Sequence, residues 1–529
     1  MGMNGEQVER NISITGSRIA GNAGLFTRTF NRIFSRHMLH AVLLALLVLN
    51  ATGNLTHPAD QFRDPGLWWH LADARILTTT HRFIHVEPYS FTVAGERWIN
   101  PEWLSEMPFW LGYRSLGLRG IFLVTVTALC ANILFVYWRS YRKALHAGAA
   151  FWTAILAFML MTINAGPRTI VIAYLAMSAE MAILEAAERG KKHLLWLLPP
   201  LFCVWINLHG SWIIGLGLLA LYILCGLFPF SKGILDQEAY SSKDRQRLLL
   251  VFFAGLAALL INPYGWRLIW NPFDMLLNQR LMMSYAAEWH PLTLGTIAGL
   301  AAWLAIGLTL IANCVSGRKW KLYELAFLFF AWFEAINHCR FTFMASVIAI
   351  PLLAGDVARS FCAKPNEKTI PLLNALFVAG AVGVILFFFP SEASLQNSLE
   401  AEYPLQTIAS IQPSWRTYDQ GNLGGMMAFN SKPTFWDTRF DTFVHHGVLR
   451  DLIDIETLHA PLQLLDKYRI DHVLISESWA LAYLLERTPG WRVERREGAG
   501  DDAYVLLART PGATGDQSQC AAAPAQGKQ

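Results

Sequence analysis

The chain has 529 residues, of which 54% are hydrophobic and only 16% charged; an ordinary soluble domain carries about 25% charged residues. Twenty Trp and 32 Phe point the same way, to a chain solvated by lipid. The net formal charge of +4, with no basic aromatic stripe, gives no argument for nucleic acid, and seven Cys without a C-x-x-C pair imply neither a disulfide framework nor a zinc site.

Residues 1–37 are polar and hold five Arg. The first apolar run starts only at Met38, too late for the core of a cleaved signal, so the first helix is expected to be retained as an anchor. A spanning helix needs about 20 mostly apolar residues. Eleven segments qualify approximately: 38–56, 118–138, 149–164, 168–187, 193–209, 210–230, 247–263, 291–314, 320–337, 341–355 and 370–390.

Loop charge gives the orientation. With the N-terminus inside, the inner segments hold R-S-Y-R-K, E-R-G-K-K, the stretch 231–246, S-G-R-K and the stretch 356–369. The nine Lys before residue 390 lie in or beside them. An odd number of helices then puts 391–529 outside.

The stretch from Asp60 to Glu106 is the longest polar interruption before the second span. Asp64-Pro65 is a helix start, Asp as cap and Pro at the first helical position. Leu67, Leu71 and Ala74 then share one face, with His70 and Asp73 on another. Such a helix is expected in the membrane interface with Trp68 and Trp69 at headgroup level. Residues 83–99 read as extended with a turn at Ala94-Gly95-Glu96, and a second amphipathic helix follows Asn100-Pro101. The stretch 265–290 is likewise amphipathic.

The alternation puts every short polar motif on the outer side. These are Asp64 and its loop, Asn164-Ala-Gly-Pro-Arg168, Asn207-Leu-His209-Gly, Asn262-Pro-Tyr264-Gly, Glu288-Trp-His290 and Asn337-His338-Cys-Arg340. A shared outward-facing cavity explains them together, with Asp64, Arg168, His209, His338 and Arg340 converging on it. After Pro390 charged residues return. Residues 465–475 read as a helix end, a turn and a buried strand, and 493–508 as a hairpin, which predicts a small α/β domain over 391–509 and a disordered tail over 510–529.

A first helix, a long acidic outer loop, about eleven spans and an outer C-terminal domain together resemble the GT-C superfamily, over residues 38–390. So do the short motifs of a group of bacterial membrane proteins: a D…W-H-L pattern, here Asp64-Pro-Gly-Leu-Trp-Trp-His-Leu71, N-L-H-G, N-P-Y-G and a late G-G…D-x-R pattern, here Gly424-Gly425 and Asp437-Thr-Arg439. The resemblance implies a polytopic α-helical membrane protein of about 11 transmembrane helices, GT-C-like, with its catalytic outer loop at 57–117 and a small extracytoplasmic α/β domain. It implies a glycosyltransferase of the bacterial inner membrane that uses a polyprenyl-phosphate-linked sugar as donor. The acceptor is a glycan, a lipid or a protein, and the other partner is membrane lipid.

Transfer from a lipid phosphate needs a base for the acceptor and cations for the leaving group. Asp64 is the candidate base. Arg168 and Arg340, with His338, are the candidates for the donor phosphate. Glu334, four residues before His338, is a candidate to orient Arg340. His70, Glu102, Asn207 and His209 are candidates for substrate contacts; His70, Glu102 and His209 are also candidates for a divalent metal. Plainer readings stand beside these. Asp64 serves as a cap, the arginines sit near lipid phosphates, and Asn207 and His209 bond across helices. Asp437, Arg439 and Asp441 form a surface ion pair. Glu180 is an acid inside a span, a functional candidate by that fact. A transporter or flippase and a non-catalytic scaffold are the alternative functions.

Overall fold

Helices occur at all eleven predicted places. The structure is a computed structural model that describes residues 29–31, 35–50, 52, 62, 64–164, 166–362, 370–500 and 503–510. Most of the predicted 1–37 segment, residues 53–61 of the first span and outer loop, and the tail from 511 lie outside these residues.

The helices of the apolar part are α1 (Arg36–Leu49), α2 (Pro65–Thr80), α3 (Trp103–Leu116), α4 (Leu118–Ala144), α5 (Ala147–Met161), α6 (Thr169–Glu188), α7 (Leu198–Leu208) and α8 (Trp212–Cys225). A short hairpin, β1 (Phe230–Lys232) with β2 (Leu235–Gln237), leads to α9 (Ser242–Ala258). Then come α10 (Trp266–Asn278), α11 (Arg280–Tyr285), α12 (Ile297–Ser316), α13 (Leu322–Asn337), α14 (Thr342–Phe361) and α15 (Pro371–Phe388). By length and composition, five helices among the described residues could cross a membrane: Leu118–Ala144, Thr169–Glu188, Ile297–Ser316, Cys339–Phe361 and Pro371–Phe388. Four further apolar helices are shorter: α1, α5, Lys192–Leu208 and α8.

Local chemistry sets the helix ends. Ser241 and Thr296 accept from the backbone N–H groups of Asp244 and Gly299, satisfying orphan donors at the starts of α9 and α12. Gly317 ends α12 at φ 56°, where an L side chain would be strained. The middle of the bundle is α14, buried from Thr342 to Asp356 and packed on α4, α5, α12 and α13. Its run of small residues lets neighbouring backbones approach.

The C-terminal segment adds α16 (Glu392–Glu402), α17 (Leu405–Ser410), β3 (Thr417–Asp419), α18 (Gly424–Phe429), α19 (Phe440–His445), α20 (Val448–Glu456), α21 (Pro461–Lys467), β4 (His472–Ser476), α22 (Ala480–Glu486), β5 (Trp491–Glu497) and β6 (Tyr504–Arg509). The sheet order is β3-β4-β6-β5. β3 and β4 are parallel, and the other pairs antiparallel, including the predicted hairpin.

This segment does not stand apart from the loop of residues 57–117. Leu67, Trp68 and Leu71 of α2 share one hydrophobic cluster with Leu395, Tyr403, Met426 and Leu506. Gly425 lets the two backbones approach closely. A Cβ on Gly425 would lie 2.1 Å from the Pro65 carbonyl oxygen. The expectation of Trp68 and Trp69 at headgroup level is therefore overturned: they are 1% and 7% exposed and lie in protein core. Periodicity assigned α2 one buried face, but every residue from Leu67 to Ala74 is buried, and C-terminal residues pack on both Trp68 and Trp69. Residues 83–99 pair as expected, with Glu87 N–H donating to the Glu96 carbonyl across the turn at Gly95.

Candidate active site

Asp64 caps α2 and does more. Its Oδ1 accepts from the Gly66 N–H at 2.9 Å, and its Oδ2 pairs with Arg168 Nε. Arg168 ends the turn before α6, and its Nη1 donates to Glu288 Oε2 at 2.8 Å. The other Glu288 oxygen, Oε1, lies 2.9 Å from Arg340 Nη1. Arg340, in the turn between α13 and α14, stacks its guanidinium on Trp289, 4.4 Å from the ring centre. The four side chains thus alternate in charge, from acid to base to acid to base. Burial pushes the Glu288 carboxyl up, but the Arg340 and Arg168 charges outweigh it and hold the group below the usual range.

These four line a cavity of about 510 Å³ together with His70, Glu102 and His209. Glu102 accepts from the Thr169 hydroxyl. His209 Nε2 lies 3.2 Å from one Glu102 oxygen and His70 Nε2 3.6 Å from the other. Behind the wall, His70 Nδ1 is 2.7 Å from Glu106 Oε1. The Asn100 amide joins Glu106 to Asp73, and Asp73 accepts from the Tyr89 hydroxyl at 2.7 Å. Burial drives the His70 imidazole down to about 4 and raises the Glu102, Glu106 and Asp73 carboxyls. The His70–Glu106 contact is thus a hydrogen bond in surroundings that disfavour charge on either partner.

The trio His70, Glu102 and His209 does not fit a metal. His209 Nδ1 accepts from the Ser211 N–H at 2.9 Å, so the neutral ring carries its proton on Nε2 and presents a donor to Glu102, not a lone pair. Among the described residues no group of three or more His, Cys, Asp or Glu is arranged to hold a metal ion.

Four candidates lie off the cavity wall. His338 Nδ1 donates to the Trp289 carbonyl at 2.8 Å, which fixes the turn that carries Glu288. Glu334 meets His338 through its backbone carbonyl, and the carboxylate that pairs with Arg340 is Glu288 instead. Helical spacing put Glu334 on the right face but could not reveal a partner from the loop before α12. Asn207 binds the Trp103 indole at 2.9 Å and the carbonyls of Cys203 and Ile261, so it ties helices together. Glu180 is buried against Trp205 and Gly215, also away from the cavity.

The C-terminal segment supplies a wall that the sequence reading missed: Asn422, Thr438, Arg439 and Asp441. The surface ion pair expected there is overturned. Arg439 is 4% exposed, bonded to Asp437 and Glu87 and stacked near Trp98 and Tyr89. The D-x-R pattern was visible, but its partner Glu87 comes from the loop of residues 57–117. Burial pushes the Asp441 carboxyl up to about 6.

No family model matches the chain, and no curated protein matches it. Solved structures do. The apo oligosaccharyltransferase of Archaeoglobus fulgidus is 12% identical at a TM-score of 0.52, over 83% of this chain and 69% of that one. The oligosaccharyltransferase AglB of the same archaeon, in complex with an inhibitory peptide and a dolichol-phosphate, is 11% identical at 0.51, over 83% and 69%. ArnT from Cupriavidus metallidurans bound to undecaprenyl phosphate is 15% identical at 0.49, over 90% and 98%. The likeness to the oligosaccharyltransferase is one of fold: the chain shares the fold of that protein.

Proposed function

We propose that this protein is a membrane glycosyltransferase that moves a sugar from a polyprenyl-phosphate-linked donor to an acceptor hydroxyl or amide. The carrying observation is the Asp64–Arg168–Glu288–Arg340 array on one cavity wall, in a chain of GT-C fold. The dolichol-phosphate in complex with the structurally similar archaeal oligosaccharyltransferase AglB belongs to the same chemical class.

In this reading Asp64 takes the acceptor's proton as the acceptor attacks the anomeric carbon. The bond from that carbon to the phosphate oxygen breaks, and the lipid phosphate leaves with one more negative charge. Arg168 and Arg340 stabilise that charge with preorganised donors, so the array favours the transition state over the bound donor. Glu102, His70 and His209 contact the sugar or the acceptor. The apolar helices cross the bacterial inner membrane about eleven times, with the N-terminus cytoplasmic. The cavity and the 391–509 segment then face the periplasm.

The test follows labelled sugar in membranes that contain the protein and polyprenyl-phosphate-linked sugars. Release of polyprenyl phosphate that depends on Asp64, with label moved to an acceptor, supports the reading. Movement of an intact labelled lipid across the bilayer without bond cleavage would favour a flippase.

A further inference from the structure

Arg168 and Arg340 are joined by a single side chain. Glu288 uses both carboxylate oxygens, one on Nη1 of each arginine, at 2.8 and 2.9 Å. Two oxygens of one anionic group, held by two guanidiniums at a cavity wall, is the pattern that a phosphate would also adopt.

The surroundings of Glu288 point to a side chain that can leave. Its backbone is pinned: the Trp289 carbonyl accepts from His338, and the His290 carbonyl accepts from the Cys339 N–H. Its carboxylate is the more exposed of the two acids, with a side chain 32% exposed against 17% for Asp64. Asp64 is also tied to the start of α2 through Gly66. Arg439, the other arginine on the wall, is already committed to Asp437 and Glu87. The formal charges of Asp64, Arg168, Glu288 and Arg340 cancel, so a phosphate arriving beside an undisturbed array would meet no net attraction from it.

We infer that Glu288 is a place-holder: its carboxylate occupies the seat of the donor phosphate and swings aside when a phosphate binds. This rests on the phosphate-binding role proposed for the two arginines. Glu288 thereby lowers the affinity of the site for any phosphate and keeps the arginines paired between turnovers. A residue that merely held the arginines in position would raise that affinity.

The sign of the effect is the test. Undecaprenyl phosphate and inorganic phosphate are the probes, titrated against the purified full-length protein in detergent. Glu288→Gln leaves one excess positive charge and is expected to bind undecaprenyl phosphate at least about tenfold tighter, about 1.4 kcal/mol. Glu288→Asp keeps the charge and is expected to stay closer to wild type than to the Gln variant. Inorganic phosphate should also gain affinity in Glu288→Gln, because the seat reads phosphate and not the lipid chain. Unchanged or weaker lipid binding by Glu288→Gln, a gain confined to the lipid, or an Asp variant equal to the Gln variant would each overturn the place-holder. Arg340→Gln separates this from the underlying reading. If it weakens binding while Glu288→Gln fails to strengthen it, only the place-holder falls. If Arg340→Gln binds as well as wild type, the phosphate role of the arginines falls with it.

Discussion

Arg439, late in the chain, donates to the carboxylate of Glu87 in the loop after the first helix, at 2.8 Å across a sequence separation of 352 residues. Both side chains are almost fully buried, and the guanidinium also holds Asp437 at 2.6 Å. The bond joins the two parts of the chain that close the cavity.

Arg439→Ala should therefore act on stability first. It leaves two carboxylates buried without their cation, and breaking a buried pair from one side costs about 3–5 kcal/mol. Thermal melting of the purified protein should fall steeply, and limited proteolysis should begin to separate 391–509 from the membrane part. A melting temperature equal to wild type would mean that the interface does not depend on this cation.

Asp64→Asn separates cap from base. Asn caps a helix almost as well as Asp, whereas Ala would cost about 0.5–2 kcal/mol. It cannot accept a proton from the acceptor, and loss of a positioned base costs about 10²–10⁴-fold in rate. We expect normal expression and sugar transfer reduced at least about 100-fold. Transfer within a factor of about three of wild type would leave Asp64 a cap and a partner of Arg168 only.

Asp441 gives a pH signature. Burial raises its folded-state value to about 6, so the native protein holds a proton there that the unfolded chain releases lower on the pH scale. Its favourable contribution is complete below the unfolded value, about 3.9. It is lost as pH rises toward 6, and above that Asp441 destabilises the fold by an amount on the order of 1–3 kcal/mol. Asp441→Asn removes the dependence. The variant should melt higher than wild type at pH 7.5 and lose that advantage near pH 4. Parallel melting curves at both pH values would contradict the burial of this carboxyl.

The orientation has its own check. The lysine distribution predicts an inside N-terminus and an outside C-terminus. Alkaline phosphatase fused after residue 390 should be active in a bacterial host, and a fusion at residue 190 inactive. The reverse pair of results would invert the topology.

Composition and hydropathy, read along the chain, located a helix at each of eleven positions, because a helix in lipid satisfies its own backbone and needs only a run of apolar residues. The Asp64-Pro65 start, the turn at Gly95 and the late hairpin were legible for a similar reason: each depends on residues within a few positions of one another. Tertiary structure decided the rest. Glu288 rather than Glu334 meets Arg340, Glu87 neutralises Arg439, and Trp68 is core rather than anchor, since each outcome depends on a partner tens to hundreds of residues away. A side chain's polarity states what it needs when buried, a partner for its charge or a cover for its apolar surface. Only the packing of α2 against the C-terminal segment determines which distant residue supplies it.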